Sequence, residues 1–204
     1  YRRFMFKFMF LALLSISALA QNNRIPNFNN SKKILKKFPI FNEETLYCGC
    51  KISGNKVDTA SCGYIPPSAS KRAGKVEWEH VVPASALSQG IEYNKSLCGK
   101  KSKRACLEAK VPDYAFRTAD LYNLYAEDGL INQIRSDKPQ EEVVSSEKSF
   151  GKCDIKTDRR GFTPRKEVKG IVARTYLYMD SAYPQARVIS NKNRKLYEAW
   201  NKMY

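Results

Sequence analysis

The chain has 204 residues, enough for one domain with a buried core. Its 43% hydrophobic and 12% aromatic content excludes wholesale disorder. Lys and Arg number 36 against 20 Asp and Glu, a formal charge of +16 that favours a polyanionic partner such as nucleic acid, an anionic membrane surface or a cell-wall polymer over small neutral metabolites.

Residues 1–20 read as an export signal. Arg2, Arg3 and Lys7 form a basic start, Phe8 to Ile16 is mostly apolar, and Ala18-Leu19-Ala20 supplies the small-x-small pattern of a signal-peptidase site. The apolar run is too short to cross a hydrocarbon layer of roughly 30 Å as a helix. No later stretch is apolar enough either, so the sequence predicts a periplasmic or secreted protein with no stable membrane association once the signal is removed. Residues 21–46, Asn-rich and basic in their first part, read as a flexible leader with one helical turn near Ile34-Leu35.

From Tyr47 onward, residues 47–204 read as one domain, with no internal repeat and no linker. Gly49, Gly54, Asn55 and Gly63 punctuate short segments, and Ile65-Pro66-Pro67 marks an extended stretch or turn. Val76 to Val82 alternates and is rich in Val and Trp, a strand pattern that stops at Pro83. Ala84 to Gln89 suits a helical turn. Lys95 to Lys110 carries six basic residues with Glu108 the only acid. Leu121 to Tyr125 is apolar and aromatic, and Gly129 to Ser136 has short helical spacing. Gly170 to Tyr183 reads as an amphipathic helix and Asn191 to Tyr204 as a charged terminal one.

In an exported chain, an even number of cysteines reads as disulfides. Cys98 and Cys106 enclose a short basic loop and form the local pair, while Cys48 and Cys50 each pair with either Cys62 or Cys153. No Cys-x-x-Cys occurs, and one histidine cannot complete a Cys/His zinc pattern.

That histidine, His80, stands in Glu77-Trp78-Glu79-His80-Val81-Val82-Pro83. A lone His is more often structural than catalytic. Here, however, two acids flank it in an apolar strand, where burying them requires a cationic partner such as a metal ion. Downstream, Asn132 and Arg135 share a helix face. An Asn carbonyl suits a hard cation such as Mg²⁺, and a guanidinium suits a phosphate oxygen. Taken alone, Asn123 and Asn132 read more readily as turn and cap residues.

Glu77 to Ala84, Asp120-Leu121-Tyr122-Asn123-Leu124, Gly129 to Ser136 and Lys169 to Arg174 together resemble the bacterial endonuclease I family, exported non-specific nucleases. Tyr47-Cys48-Gly49-Cys50 and Ser61-Cys62-Gly63-Tyr64 match as well, so the likeness runs in order from Tyr47 to Met179. The resemblance implies an α+β domain, disulfide-stapled, built around a ββα-metal (His-Me) finger. It implies Mg²⁺-dependent hydrolysis of DNA, with RNA also admitted, to 5′-phosphate products by a monomer. Ca²⁺ or Mn²⁺ would serve as alternative ions. By position, His80 corresponds to the general base and Glu79 and Asn132 to the protein ligands of one metal ion. Arg104 or Lys103 corresponds to the phosphate-holding cation before the second cysteine of the local pair, the spacing here being one residue short. Arg135 and Asn123 are the remaining candidates for substrate contacts. Three places depart from the family pattern: Tyr122 stands where a His is usual, Tyr125-Ala126 where a proline is common, and Gln133-Ile134 where a small residue and an acid occur. The alternative is a non-catalytic cationic protein that coats nucleic acid or the cell surface; such a protein needs neither Glu79-His80 nor Asn132.

Overall fold

The computed structural model describes residues 21–38 and 43–204; the signal assigned to residues 1–20 lies outside the described residues. The centre of the architecture is an antiparallel pair, β3 (Val76–His80) with β4 (Leu124–Asp128), in the register Glu77 opposite Glu127 and Glu79 opposite Tyr125. Of the run from Val76 to Val82 that the alternation predicts as strand, Val76 to His80 forms it, and Asn123 holds the two residues that follow. The Asn123 side chain accepts from Val82 N (2.7 Å) and donates to Val82 O (2.9 Å), holding the chain against β4's start just beyond the strand.

Helix α4 (Gly129–Arg135) follows β4 without a linker. The Asp128 side chain caps it, accepting from Leu130 N and Ile131 N, which supplies acceptors to amides that the first turn cannot satisfy. Gly129 is required by space: a Cβ there would stand 2.7 Å from Glu77 Oε1 and 2.8 Å from the Arg72 carbonyl oxygen.

Successive side chains of β3 point to opposite faces. Trp78 packs with Leu35, Leu124 and Ala126 on the face covered by α1 (Phe28–Lys37), and His80 meets Phe28 on that side. Glu77 and Glu79 point to the face carrying α4, where they meet Asn132 and Arg135. Two short strand pairs, β1 (Ile52–Ser53) with β2 (Lys56–Val57) and β5 (Lys156–Thr157) with β6 (Phe162–Thr163), complete the sheet structure.

The main core lies between α4, β6 and two packed helices, α5 (Lys169–Ala182) and α6 (Asn191–Met203). It holds Tyr47, Ile131, Phe162, Val172, Tyr176, Met179, Tyr197 and Trp200, all almost fully buried. Cys48–Cys153 closes a separation of 105 residues and ties the Tyr47 segment to the loop before β5, and Cys50–Cys62 is the second bridge. The pairing left open in the sequence is thereby fixed, and the local Cys98–Cys106 bridge is present as expected. The mixed helix-and-strand class agrees with the sequence reading. Among the described residues, no helix is long and apolar enough to cross a membrane.

The leader differs from its sequence reading. In place of one turn near Ile34-Leu35, residues 28–37 form a ten-residue helix. Asn27 caps it by accepting from Asn30 N (3.1 Å), Leu35 is buried, and Ser31 Oγ donates to the Ala119 carbonyl. The helical stripe of Phe28, Ser31 and Leu35 is thus spent against the domain.

Candidate active site

A cavity of about 970 Å³ runs beside β3. Phe28, Lys32 and Lys36 of α1 line it, with Glu77, Trp78, Glu79 and His80 of β3 and Asn132, Gln133 and Arg135 of α4. Ser102, Lys103 and Arg104 reach it from α2 (Lys103–Lys110). Of the sequence-derived candidates, His80, Glu79, Asn132, Arg104, Lys103 and Arg135 are all brought to this one cavity; Asn123 is not.

His80 is buried at the end of β3, and its Nε2 lies 2.8 Å from the Thr118 carbonyl at the end of α3 (Pro112–Thr118). A carbonyl only accepts, so Nε2 carries the proton and Nδ1 is left with the lone pair. Burial, followed by the charge of Arg104, pushes the imidazolium pKa down to about 3, with Arg135 and Lys32 adding to the effect. The ring is therefore a neutral acceptor at neutral pH.

Glu79 is 1% exposed. Its Oε1 accepts from Tyr47 Oη (2.7 Å) and Arg135 Nη1 (2.8 Å). Burial raises its pKa, and the Arg135 guanidinium, with the Tyr47 and Arg135 hydrogen bonds, pulls it back. Among the described residues no hydrogen bond engages Oε2. Asn132 donates Nδ2 to Glu77 Oε2 (3.0 Å), and Glu77 is itself gripped by Arg72 through Nε (2.8 Å) and Nη2. That contact sets the amide's orientation and leaves Asn132 Oδ1 without a partner among the described residues. Two oxygen donors, one carboxylate and one amide, therefore line the cavity with an oxygen each to spare, a set suited to a hard divalent cation that keeps waters and phosphate oxygens as its other ligands. Among the described residues no cluster of three or more His, Cys, Asp or Glu groups exists that would form a closed metal cage.

Arg104 and Lys103 both begin α2. Arg104 pairs with Glu108 at 2.8 Å, its guanidinium carbon lies 5.6 Å from the Phe28 ring centroid, and its charge acts on His80. Lys103 Nζ stands 5.7 Å from the Tyr93 ring. Of the two, Arg104 is the one whose charge reaches His80.

Two sequence assignments need correction. The sequence offers Arg135 as a substrate contact, but it is 1% exposed and turned inward, donating to Glu79 and to the carbonyls of His80 and Val81. It does share a helix face with Asn132, one turn deeper. Asn123, also expected at the substrate, is fully buried and spends its amide on the Val82 backbone. Both hold the strand end that carries His80.

The sequence reading missed Phe28, Lys32 and Lys36 because the leader's polar composition hid a capped amphipathic helix; Asn27 and the Phe28/Ser31/Leu35 spacing were the available signals. It also missed Thr118, whose role is carried by a carbonyl and so leaves no side-chain trace. The departure at Tyr122 does not touch the cavity: that side chain is 68% exposed and packs on Tyr178, with 4.7 Å between ring centroids. Gln133, by contrast, lines it.

The sequence pattern of the family described as Endonuclease I matches residues 20–204. An extracellular deoxyribonuclease of Aeromonas hydrophila is 34% identical, over 95% of this chain and 84% of its own. A periplasmic deoxyribonuclease of the same organism is 32% identical, over 94% and 80%. An Endonuclease-1 of Buchnera aphidicola subsp. Acyrthosiphon pisum (strain APS) is 31% identical, over 97% and 78%.

Proposed function

The chain belongs to the endonuclease I family, and from that premise we propose that it is an exported, divalent-metal-dependent endonuclease that hydrolyses DNA, with RNA admitted, to 5′-phosphate products. The observation that carries the reading is the convergence of a tautomer-fixed neutral histidine, two spare oxygen donors and an unburied guanidinium on one cavity.

His80 takes a proton from the attacking water on Nδ1 while the Thr118 carbonyl holds Nε2–H. In the free protein this nitrogen is weakly basic, because burial and neighbouring cations disfavour the imidazolium. A phosphate bound beside Arg104 and Lys32 offsets the cationic part of that effect, so the base strengthens when substrate is present. Arg104 stabilises negative charge at the phosphate's equatorial oxygens. Glu79 Oε2 and Asn132 Oδ1 would hold the metal ion, Mg²⁺ by expectation. Bound there, it would neutralise phosphate charge and stabilise the leaving 3′ oxygen. Arg135 already balances Glu79 and Arg72 balances Glu77, so affinity for the free ion should be low and should rise once phosphate oxygens are present.

Nothing in the cavity resembles a base-reading helix, and a backbone-reading site predicts cutting with little sequence preference. Supercoiled plasmid incubated with the oxidised protein, with and without divalent ions, tests the reading. Nicking and linearisation that stop on chelation support it. A gel shift without cutting would move the protein to the cationic coating class.

A further inference from the structure

Two cations crowd one aromatic ring beside His80. Phe28 of α1 lies on the imidazole, with 4.6 Å between ring centroids. The same Phe28 ring is 4.8 Å from Lys32 Nζ and 5.6 Å from the Arg104 guanidinium carbon. Arg104 has Glu108 beside it, whereas Lys32 makes no ion pair among the described residues. One turn further along α1, Lys36 lines the same cavity, as the i,i+4 spacing requires. Lys33 and Lys37, equally basic and on the same helix, do not line it.

The helix that presents these lysines is anchored. Ser31 Oγ donates to the Ala119 carbonyl, next to the Thr118 carbonyl that fixes His80, and Leu35 is buried with Trp78 and Leu124. Lys32 and Lys36 are therefore carried on a fixed wall. Lys32 and Arg104, at 4.8 Å and 5.6 Å from the centre of the same ring, repel one another, and an anion bound to both relieves the repulsion.

We propose that α1 is a second phosphate-binding wall of the nuclease site, in which Lys32 and Lys36 take backbone phosphates of the same DNA strand that Arg104 holds. The inference rests on the nuclease reading and adds to it. The strand is gripped from two separate helices, α1 and α2, so the substrate interface extends to residues 28–37.

The test compares two double variants that remove the same charge from the same helix, K32A/K36A and K33A/K37A, with wild-type protein. Binding to a fluorescently labelled DNA duplex is followed by anisotropy in EDTA across a range of salt. Each lost phosphate contact on duplex DNA flattens the plot of log affinity against log salt by about 0.9, so K32A/K36A should lower the slope by about 1.8 and K33A/K37A by less than half of that. Equal slopes for the two variants would overturn the proposal. Should K32A/K36A melt early, K32M/K36M keeps side chains of similar length and removes only the charges. Plasmid cleavage by the wild-type protein separates the two claims. Cutting by wild type with equal slopes sinks the wall alone, whereas binding without cutting sinks the nuclease reading while the slopes still decide the wall.

Discussion

Replacing Arg135 decides whether this residue serves the fold or the substrate. In R135A the Glu79 carboxylate, 1% exposed, loses its ion-pair partner, and the His80 and Val81 carbonyls lose their donor. Breaking a buried pair from one side costs about 3–5 kcal/mol, because a charge is left uncompensated. For a chain of this size each kcal/mol lowers the melting temperature by roughly 2–4 °C, so the expected drop is roughly 6–20 °C. The sign with pH follows from Glu79. Burial already raises its pKa, and without Arg135 the folded value moves further above the unfolded one. The protonated form is then favoured in the fold, so the variant is best tolerated below the unfolded pKa and loses stability as pH rises through the folded pKa. Calorimetry at pH 5 and pH 8 should therefore give a larger deficit at pH 8. The double variant E79M/R135M should recover part of the loss, since no buried charge remains. A melting temperature within about 2 °C of wild type, on the scale just given, accompanied by weakened DNA binding would refute the argument and restore Arg135 as a phosphate contact.

Three further outcomes follow from the same structure. The His80 Cε1–H resonance of the metal-free protein should show no titration step near pH 6.5; because its folded pKa of about 3 lies below the unfolded value, stability should decline as pH falls from about 6.5 towards 3. A step near 6.5 would mean that the ring is solvated. In G129A the new Cβ must displace Glu77, which holds Asn132, so about 1–3 kcal/mol of stability should be lost and the Mg²⁺ concentration for half-maximal cleavage should rise; an unchanged Mg²⁺ requirement would free Asn132 from Glu77's control. N123A should cost about 1–3 kcal/mol in chemical denaturation while leaving the salt slope of DNA binding unchanged, and the reverse pattern would return Asn123 to the substrate.

Much of this site is legible in the sequence because its chemistry sits on regular elements. Alternation places β3, the Asp128-Gly129 junction starts α4, and helical spacing puts Asn132 and Arg135 on one face. Spacing gives direction and not depth, however. Asn132 stops at the cavity, while Arg135, one turn on, meets the buried Glu79; only the packing of α4 on the β3–β4 pair distinguishes them. The disulfide partners of Cys48 and Cys50 depend on contacts across 105 and 12 residues of chain, which no local pattern encodes. The leader's composition conceals its helix. Four lysines and several asparagines outweigh Phe28, Ile34 and Leu35 in an average, yet Phe28 and Leu35 fall on the faces that reach His80 and Trp78.

The measurement that bears most directly on the central claim is plasmid cleavage by the oxidised protein beside H80A, each with Mg²⁺ and with EDTA. Removing the proposed general base should lower the cleavage rate by about 10²–10⁴-fold, while the salt slope of DNA binding stays as in wild type, and EDTA should abolish what wild type does. Cleavage by H80A at the wild-type rate, or by wild type in EDTA, would contradict a histidine base working beside a divalent ion.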